Sequence, residues 1–170
     1  ICILMPNTSK KSDDYCSLAT LPRPGHADFT AECKYHGFQD YRGGGHFSGR
    51  ITAPIVAAGA ICLKALSKKG IEIGTHISSC AGVKDREFEK LGEDIELLKT
   101  KEMPTLCDKA GEDMIFAIES ARKEGDSVGG VLTTAVVGMP SGVGEPWFDT
   151  VESLLAHALF SIPAVKGVEF

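Results

Sequence analysis

The sequence predicts a mixed α and β fold with a packed core, and three observations carry that expectation. Ile55, Ala58, Gly59, Cys62, Leu63 and Leu66 recur on one face of a helix. Immediately afterwards Ile71, Ile73, Thr75 and Ile77 alternate with Glu72, Gly74, His76 and Ser78, the period of a half-buried strand. Finally, 170 residues with 43% hydrophobic and 24% charged side chains suffice for one soluble globular domain, residues 1–170. No G-x-G-x-x-G follows a strand and no G-x-S-x-G occurs, so a Rossmann fold is not favoured.

In chain order, residues 1–5 (ICILM) read as a short buried strand ended by Pro6 and Asn7. Residues 7–24 are polar and turn-rich, a surface loop. Residues 27–35 fit a short helix or a strand. The next helix tolerates Pro54 if its first turn begins near residues 48–52, where N–H groups lack internal partners. Lys68, Lys69 and Gly70 suit its C-terminal end. Ala57, Ala60, Ile61 and Ala65 line its other side, so burial on most sides is expected. Residues 83–101 are charged and weakly periodic, an exposed helix or excursion. Asp108 can cap a helix striped by Met114, Ala117, Ile118 and Ala121 and closed by Gly125. Residues 128–137 (VGGVLTTAVV) form a strand apolar on both faces, and 140–146 a Gly/Pro turn. Asp149 and Glu152 make a capping-box pattern before Val151, Leu154, Leu155, Ala158 and Leu159. Residues 165–170 begin another strand. A chain that starts and stops within strand-like runs reads as a piece of a longer protein.

The net charge of −5, with no long basic run, argues against nucleic acid as the main partner, though a local basic pocket for phosphate is compatible. The longest apolar run, residues 53–63, contains Pro54 and Gly59 and is too short to span a bilayer, so no membrane partner is expected. No signal peptide is visible. None of Cys2, Cys16, Cys33, Cys62, Cys80 and Cys107 forms a C-x-x-C pair, so no metal site is expected. Reduced cysteines in a cytoplasmic protein are the default.

The chemistry concentrates in residues 23–50, RPGHADFTAECKYHGFQDYRGGGHFSGR. A glycine run at 43–45 frees φ and exposes backbone N–H groups, which suits close approach to an anion or a planar ligand. The following helix directs its N-terminus at this loop, a place for a negative group. Imidazole titrates near neutrality, so His26 can give or hold a proton, with Asp28 to orient it. On local sequence alone, a turn-stabilising loop histidine outweighs that role. Arg23, Arg42 and Arg50 are the candidate anion binders. The plain alternative is surface salt bridges with Asp28, Glu32 or Asp40; three arginines around a glycine loop shift the balance toward a site. His157 reads as a core or interface histidine. Lys166 reads as a solvated lysine or a phosphate contact. His36 and His76 read as ordinary structural histidines.

RPGHAD at 23–28, DYRGGG at 40–45, SGR at 48–50, VAAGAI at 56–61, EGDSVGGV at 124–131, GEPWFD at 144–149 and LAHALFSIPAVKGVEF at 155–170 together resemble the chorismate synthase family, in its order. The resemblance implies an α+β fold, a β-α-β sandwich of antiparallel sheets flanked by helices, incomplete here, and a homotetramer. It implies reduced FMN as cofactor and 5-enolpyruvylshikimate 3-phosphate as the anionic substrate, from which phosphate and a ring hydrogen are lost in a 1,4-anti elimination. It implies His26 as catalytic, near the flavin. His46, Phe47 and Ser48 match one FMN contact, Pro163 and Ala164 a second, and Arg42 and Arg50 match substrate-holding arginines. The family usually has Arg-Ser-Ser-Ala where this chain has His46, Phe47, Ser48 and Gly49, so side-chain charge at position 46 departs from the pattern while backbone contacts need not. Position 163 is often Asn and here is Pro. An upstream histidine stretch and downstream flavin contacts of the family have no counterpart, so the chain alone is expected not to turn over. A non-catalytic phosphate- or nucleotide-binding module is the alternative, separated from the enzyme by that completeness.

Overall fold

In the computed structural model the described residues are 2–6, 8, 11, 15–17 and 20–170. The chain divides into two compact units, Ile1–Ile61 with Gly144–Phe170, and Cys62–Val143. The first unit holds α1 (Asp28–Tyr35), the 3-10 turns Arg42–Phe47, Gly49–Ile51 and Trp147–Asp149, and α5 (Val151–Leu159). The helix α2 (Thr52–Ser67) runs from the first unit into the second. The second unit holds β1 (Glu72–Cys80), β2 (Val83–Lys84), α3 (Leu91–Leu98), α4 (Asp108–Lys123) and β3 (Gly130–Val137).

The three strands form an antiparallel sheet in the order β2-β1-β3. The pairing of β1 with β3 runs from Glu72 opposite Val137 to Cys80 opposite Gly130, with an irregularity between Ile77 and Ser79. Helix α3 packs on β1 because Gly74 leaves room for it. A Cβ there would sit 2.7 Å from Cγ1 of Ile95, whose own side chain is 1% exposed.

The alternation in β1 was legible, but the covered face is the other one. Gly74, His76 and Cys80 are buried, whereas Thr75 is exposed and Ile73 and Ile77 only half-buried. The physical reason is that the missing side chain at 74 admits a helix, and that His76 is anchored there through Nδ1, while its buried Nε2 has no hydrogen-bond partner among the described residues. Its Nδ1 is 2.9 Å from Oδ2 of Asp85, and its ring meets Phe88 edge to face at 4.7 Å. The sequence reading of His76 as a structural histidine therefore holds.

Buried aspartates organise the turns of this unit. Asp85 also accepts the N–H groups of Leu106 at 2.6 Å, Cys107 at 2.9 Å and Arg86 at 2.9 Å. Burial pushes its carboxyl up, but these N–H donors and His76 together bring it below its ordinary value. Asp94, at the start of α3, accepts from Arg86 through both carboxylate oxygens and from the N–H groups of Glu89 and Lys90. The Arg86 guanidinium first, and those N–H groups after it, hold the carboxyl well below the usual range. Residues 83–101, read from sequence as an exposed helix or excursion, do contain a helix, α3, but are tied down at Asp85, Asp94 and Ile95.

Several expectations change. Cys2–Met5 carries no strand, with Ile3, Leu4 and Met5 exposed, and Ile1 lies outside the described residues. Residues 165–170 are likewise irregular. An apolar run becomes a strand only where another strand completes its hydrogen bonds, and neither run pairs with one among the described residues. Helix α2 has no buried residue, and Ile55 and Val56 are well exposed. Together with the preceding turn it gives one helical stretch, Gly49–Ser67, of 19 residues and mean hydropathy 1.4, long and apolar enough to cross a membrane. The core helix of a soluble protein meets the same criterion. The cap of α5 is Thr150, whose hydroxyl accepts from the N–H of Ser153, not Asp149. Cys107 precedes α4 without a side-chain cap, and Asp108 lies within the first turn.

Two glycine substitutions test the packing of α3 by urea denaturation. Gly74→Ala forces a methyl into Ile95 and is expected to destabilise by about 1–3 kcal/mol. Gly59→Ala, in α2, meets nothing within 4 Å and is expected to stabilise by about 0.5–1 kcal/mol. Equal effects of the two would contradict this packing.

Candidate functional site

Residues 23–50 fold around one carboxylate. Asp28 is the first residue of α1, but its side chain turns back to the loop before the helix. Its Oδ2 accepts the backbone N–H of Arg23 at 3.0 Å and Nε at 2.8 Å, and its Oδ1 accepts Nη2 at 3.0 Å. These bonds from Arg23 outweigh partial burial and hold the Asp28 carboxyl down to about 2. His26 sits inside this clamp, with Nδ1 3.2 Å from Nη2 of Arg23 and 3.5 Å from Oδ1 of Asp28.

The glycine run folds into the 3-10 turn Arg42–Phe47. Gly44 (φ 80°) and Gly45 (φ 53°) are left-handed, and a Cβ on Gly45 would collide with the carbonyl oxygen of Asp40. Glycine is therefore required at 45 on two grounds. A Cβ on Gly44 would lie 3.7 Å from Cε1 of His26 and 3.9 Å from Nη2 of Arg23. The glycine backbone is thus the wall against which the histidine and arginine stand.

Asp40 makes a second clamp. It accepts the N–H, Nε and Nη2 of Arg42 at 3.1, 2.8 and 3.0 Å, and this pair is about half exposed. The salt bridges weighed from sequence for Arg23 and Arg42 are therefore formed. They do not exhaust either guanidinium. In both, Nε and Nη2 face the carboxylate, while Nη1 has no protein partner among the described residues. A side-on pair of this kind leaves donors for a second anion.

Ser48 accepts the N–H of Arg50 at 3.4 Å, and Thr52 donates to the carbonyl of Gly49 at 2.7 Å, which sets the entry into α2. The Phe47 ring lies 6.4 Å from that of Tyr35, tilted by 49°, and is 41% exposed. A cleft of about 300 Å³ opens here, lined among others by Asp28, Ala31, Asp40, Tyr41, Gly44 and Phe47. Its lining carries the carboxylates of Asp28, Glu32 and Asp40 and no arginine, so donors for an anion come from Arg23 and Arg42, which pair with two of these carboxylates, rather than from the cleft wall itself.

The structure brings Arg23, His26, Asp28 and Gly44 together, and places Asp40 across the turn that carries Arg42, His46 and Phe47. Pro163 and Ala164 form a separate turn after α5, closed by the N–H of Val165 to the carbonyl of Ile162 at 3.3 Å. Proline followed by a residue at φ 70° is the pattern of a type II turn, in which Ala164 holds a position that favours glycine. Sequence reasoning weighed Asp40 only as a salt-bridge partner and missed that it also accepts the backbone N–H of Arg42, although an aspartate two residues before an arginine is a recognisable turn signal. It also missed the pairing of Tyr35 with Phe47.

The described chain is thus an α+β scaffold carrying a glycine turn between arginines held on carboxylates. The sequence profile of the chorismate synthase family matches residues 1–170, and the chain belongs to that family. It is 45% identical over its full length to the chorismate synthase of Chitinophaga pinensis and 45% identical to that of Pyrococcus abyssi, covering 42% and 47% of those proteins. A crystal structure of chorismate synthase superimposes with a TM-score of 0.68 at 30% identity, over 82% of this chain and 45% of that one. The chain thus spans less than half the length of the curated relatives it matches.

Acid titration probes the Asp28 clamp. A carboxyl held at about 2 rather than its usual 3.8 contributes stability that is full above the higher value and lost as pH falls through the lower. Asp28→Asn is expected to remove that part of the acid dependence of unfolding. Gly45→Ala is expected to cost at least about 1 kcal/mol from its left-handed backbone alone. Unchanged stability in Gly45→Ala, followed by thermal unfolding, would contradict the close approach to Asp40.

Proposed function

We propose that residues 23–50 supply the histidine, arginine and glycine part of a chorismate synthase site. The reaction is loss of phosphate from 5-enolpyruvylshikimate 3-phosphate by a 1,4-anti elimination to give chorismate, a carbon–oxygen lyase step of aromatic amino acid biosynthesis. The observation that carries this reading is the meeting of Arg23, His26 and Asp28 at Gly44, in a chain matched along its whole length by that family.

Reduced FMN, when bound, supplies an electron-rich ring that helps expel phosphate without net redox change. The turn at His46, Phe47 and Ser48 offers backbone and an aromatic face to hold it, and Pro163 and Ala164 offer a second contact. Arg42 and Arg50 grip the anionic groups of the substrate. Arg42 does so through its outward donors while Asp40 fixes its plane, and an exposed pair of this kind exchanges partners at little cost. His26 holds a proton at Nε2 toward the bound anions. The assembled protein is a cytoplasmic homotetramer, in which the apolar surface of α2 is protein core rather than membrane anchor.

The test is an anaerobic assay of chorismate formation by the protein that contains this chain. His26→Ala is expected to lower turnover by roughly tenfold to a thousandfold with little change in KM. Arg42→Ala is expected to act chiefly on KM. Unchanged turnover in His26→Ala would remove that residue from the mechanism.

A further inference from the structure

We propose that Arg23 and Asp28 are positioning residues that fix the tautomer of His26, making it a hydrogen-bond donor at Nε2 and closing Nδ1 to the ligand. The inference rests on the reading of His26 as a residue of the ligand site, but its geometry is independent of any ligand.

A guanidinium has donors and no acceptor. Nη2 of Arg23 stands 3.2 Å from Nδ1 of His26, so Nδ1 meets it with a lone pair. A neutral imidazole whose Nδ1 accepts carries its hydrogen on Nε2. The competing arrangement would place the hydrogen on Nδ1, pointing at Asp28. It is weaker here on two counts. Oδ1 of Asp28 lies 3.5 Å away, beyond a good hydrogen bond. That oxygen also already accepts Nη2 of Arg23 at 3.0 Å.

Asp28 fixes the arginine in turn, through three donors on one carboxylate. Gly44 completes the enclosure, its backbone close enough that a Cβ there would touch Cε1 of the ring at 3.7 Å. Nε2 has no protein partner among the described residues, and the side chain is 36% exposed.

The consequence is chemical. Nε2 carries a hydrogen in the neutral ring and in the imidazolium alike, so His26 meets a ligand as a donor in both states. It can stabilise an anionic atom by hydrogen bonding, but it keeps its Nε2 proton, because loss of that proton would leave an imidazolate or the Nδ1–H tautomer that Arg23 disfavours. It cannot take a proton from the substrate through Nε2, because that nitrogen has no free lone pair. Arg23 thereby excludes the general-base role that a histidine beside an aspartate would otherwise be given.

Long-range proton–nitrogen spectra of the ¹⁵N-labelled chain, at a pH well above the ordinary imidazole range, read the tautomer directly. The wild type is expected to show His26 with its hydrogen on Nε2. In Arg23→Met, Asp28 becomes the available partner of Nδ1, and the Nδ1–H form is expected to rise about tenfold or more. A wild-type ring protonated mainly on Nδ1 would overturn the proposal, and so would an unchanged ratio in a folded Arg23→Met. Should Arg23→Met fail to fold, the wild-type spectrum still decides. In the protein that contains this chain, His26→Gln, which keeps an N–H donor, is expected to retain at least about tenfold more turnover than His26→Ala; equal losses would also count against the donor role. Full turnover in His26→Ala would instead defeat the catalytic reading and leave the tautomer result standing.

Discussion

The loop at residues 23–50 depends on the carboxylate of Asp28. It receives three N–H donors from Arg23, and His26 and Gly44 stand against that pair. A helix-starting aspartate would ordinarily bond the free N–H groups of its own first turn. Here it reaches back instead, and Ala27 precedes α1 without a side-chain cap. The local cost to the helix is repaid by an arginine whose plane and direction are set. An arginine held in one rotamer loses less freedom when it binds an anion, so the clamp is a form of preorganisation rather than a competitor for ligand.

The same device recurs in the other unit with a different outcome. Asp85 and Asp94 also gather backbone N–H groups and one cationic or imidazole partner. There the partner is buried or folded back against the chain, and the result is scaffold. At Asp28 and Asp40 the arginines are partly exposed, with donors to spare. Arg86 is as exposed as Arg23, 34% against 33%, so exposure does not separate the clamps; what differs is Nη1, which in Arg86 donates to Glu87 and Asp94 and in Arg23 and Arg42 has no partner among the described residues.

Much of this was legible in the sequence where local rules dominate. The period of α2 with Gly70 at its end, the alternation of β1, and the singularity of residues 23–50 all follow from spacing and glycine chemistry. What escaped was set by partners distant in sequence. The covered face of β1 depends on α3 docking over Gly74, which the alternation of Ile73, Thr75 and Ile77 does not reveal. Residues 2–5 and 165–170 have strand composition without a pairing strand. The apolar girth of α2 announced burial, yet none of its residues is buried and only a few are half-buried. The site residues were named from resemblance, but the pairing of Arg42 with Asp40 and the stance of His26 against Arg23 are facts of geometry.

The central claim is that the glycine turn and its clamped arginines are where an anionic ligand docks. An amide chemical-shift titration of the chain with reduced FMN and 5-enolpyruvylshikimate 3-phosphate, under anaerobic conditions, tests it most directly. The largest shifts are expected at residues 42–50 and at His26. Saturable shifts confined to the sheet of Cys62–Val143, with residues 23–50 unmoved, would contradict it.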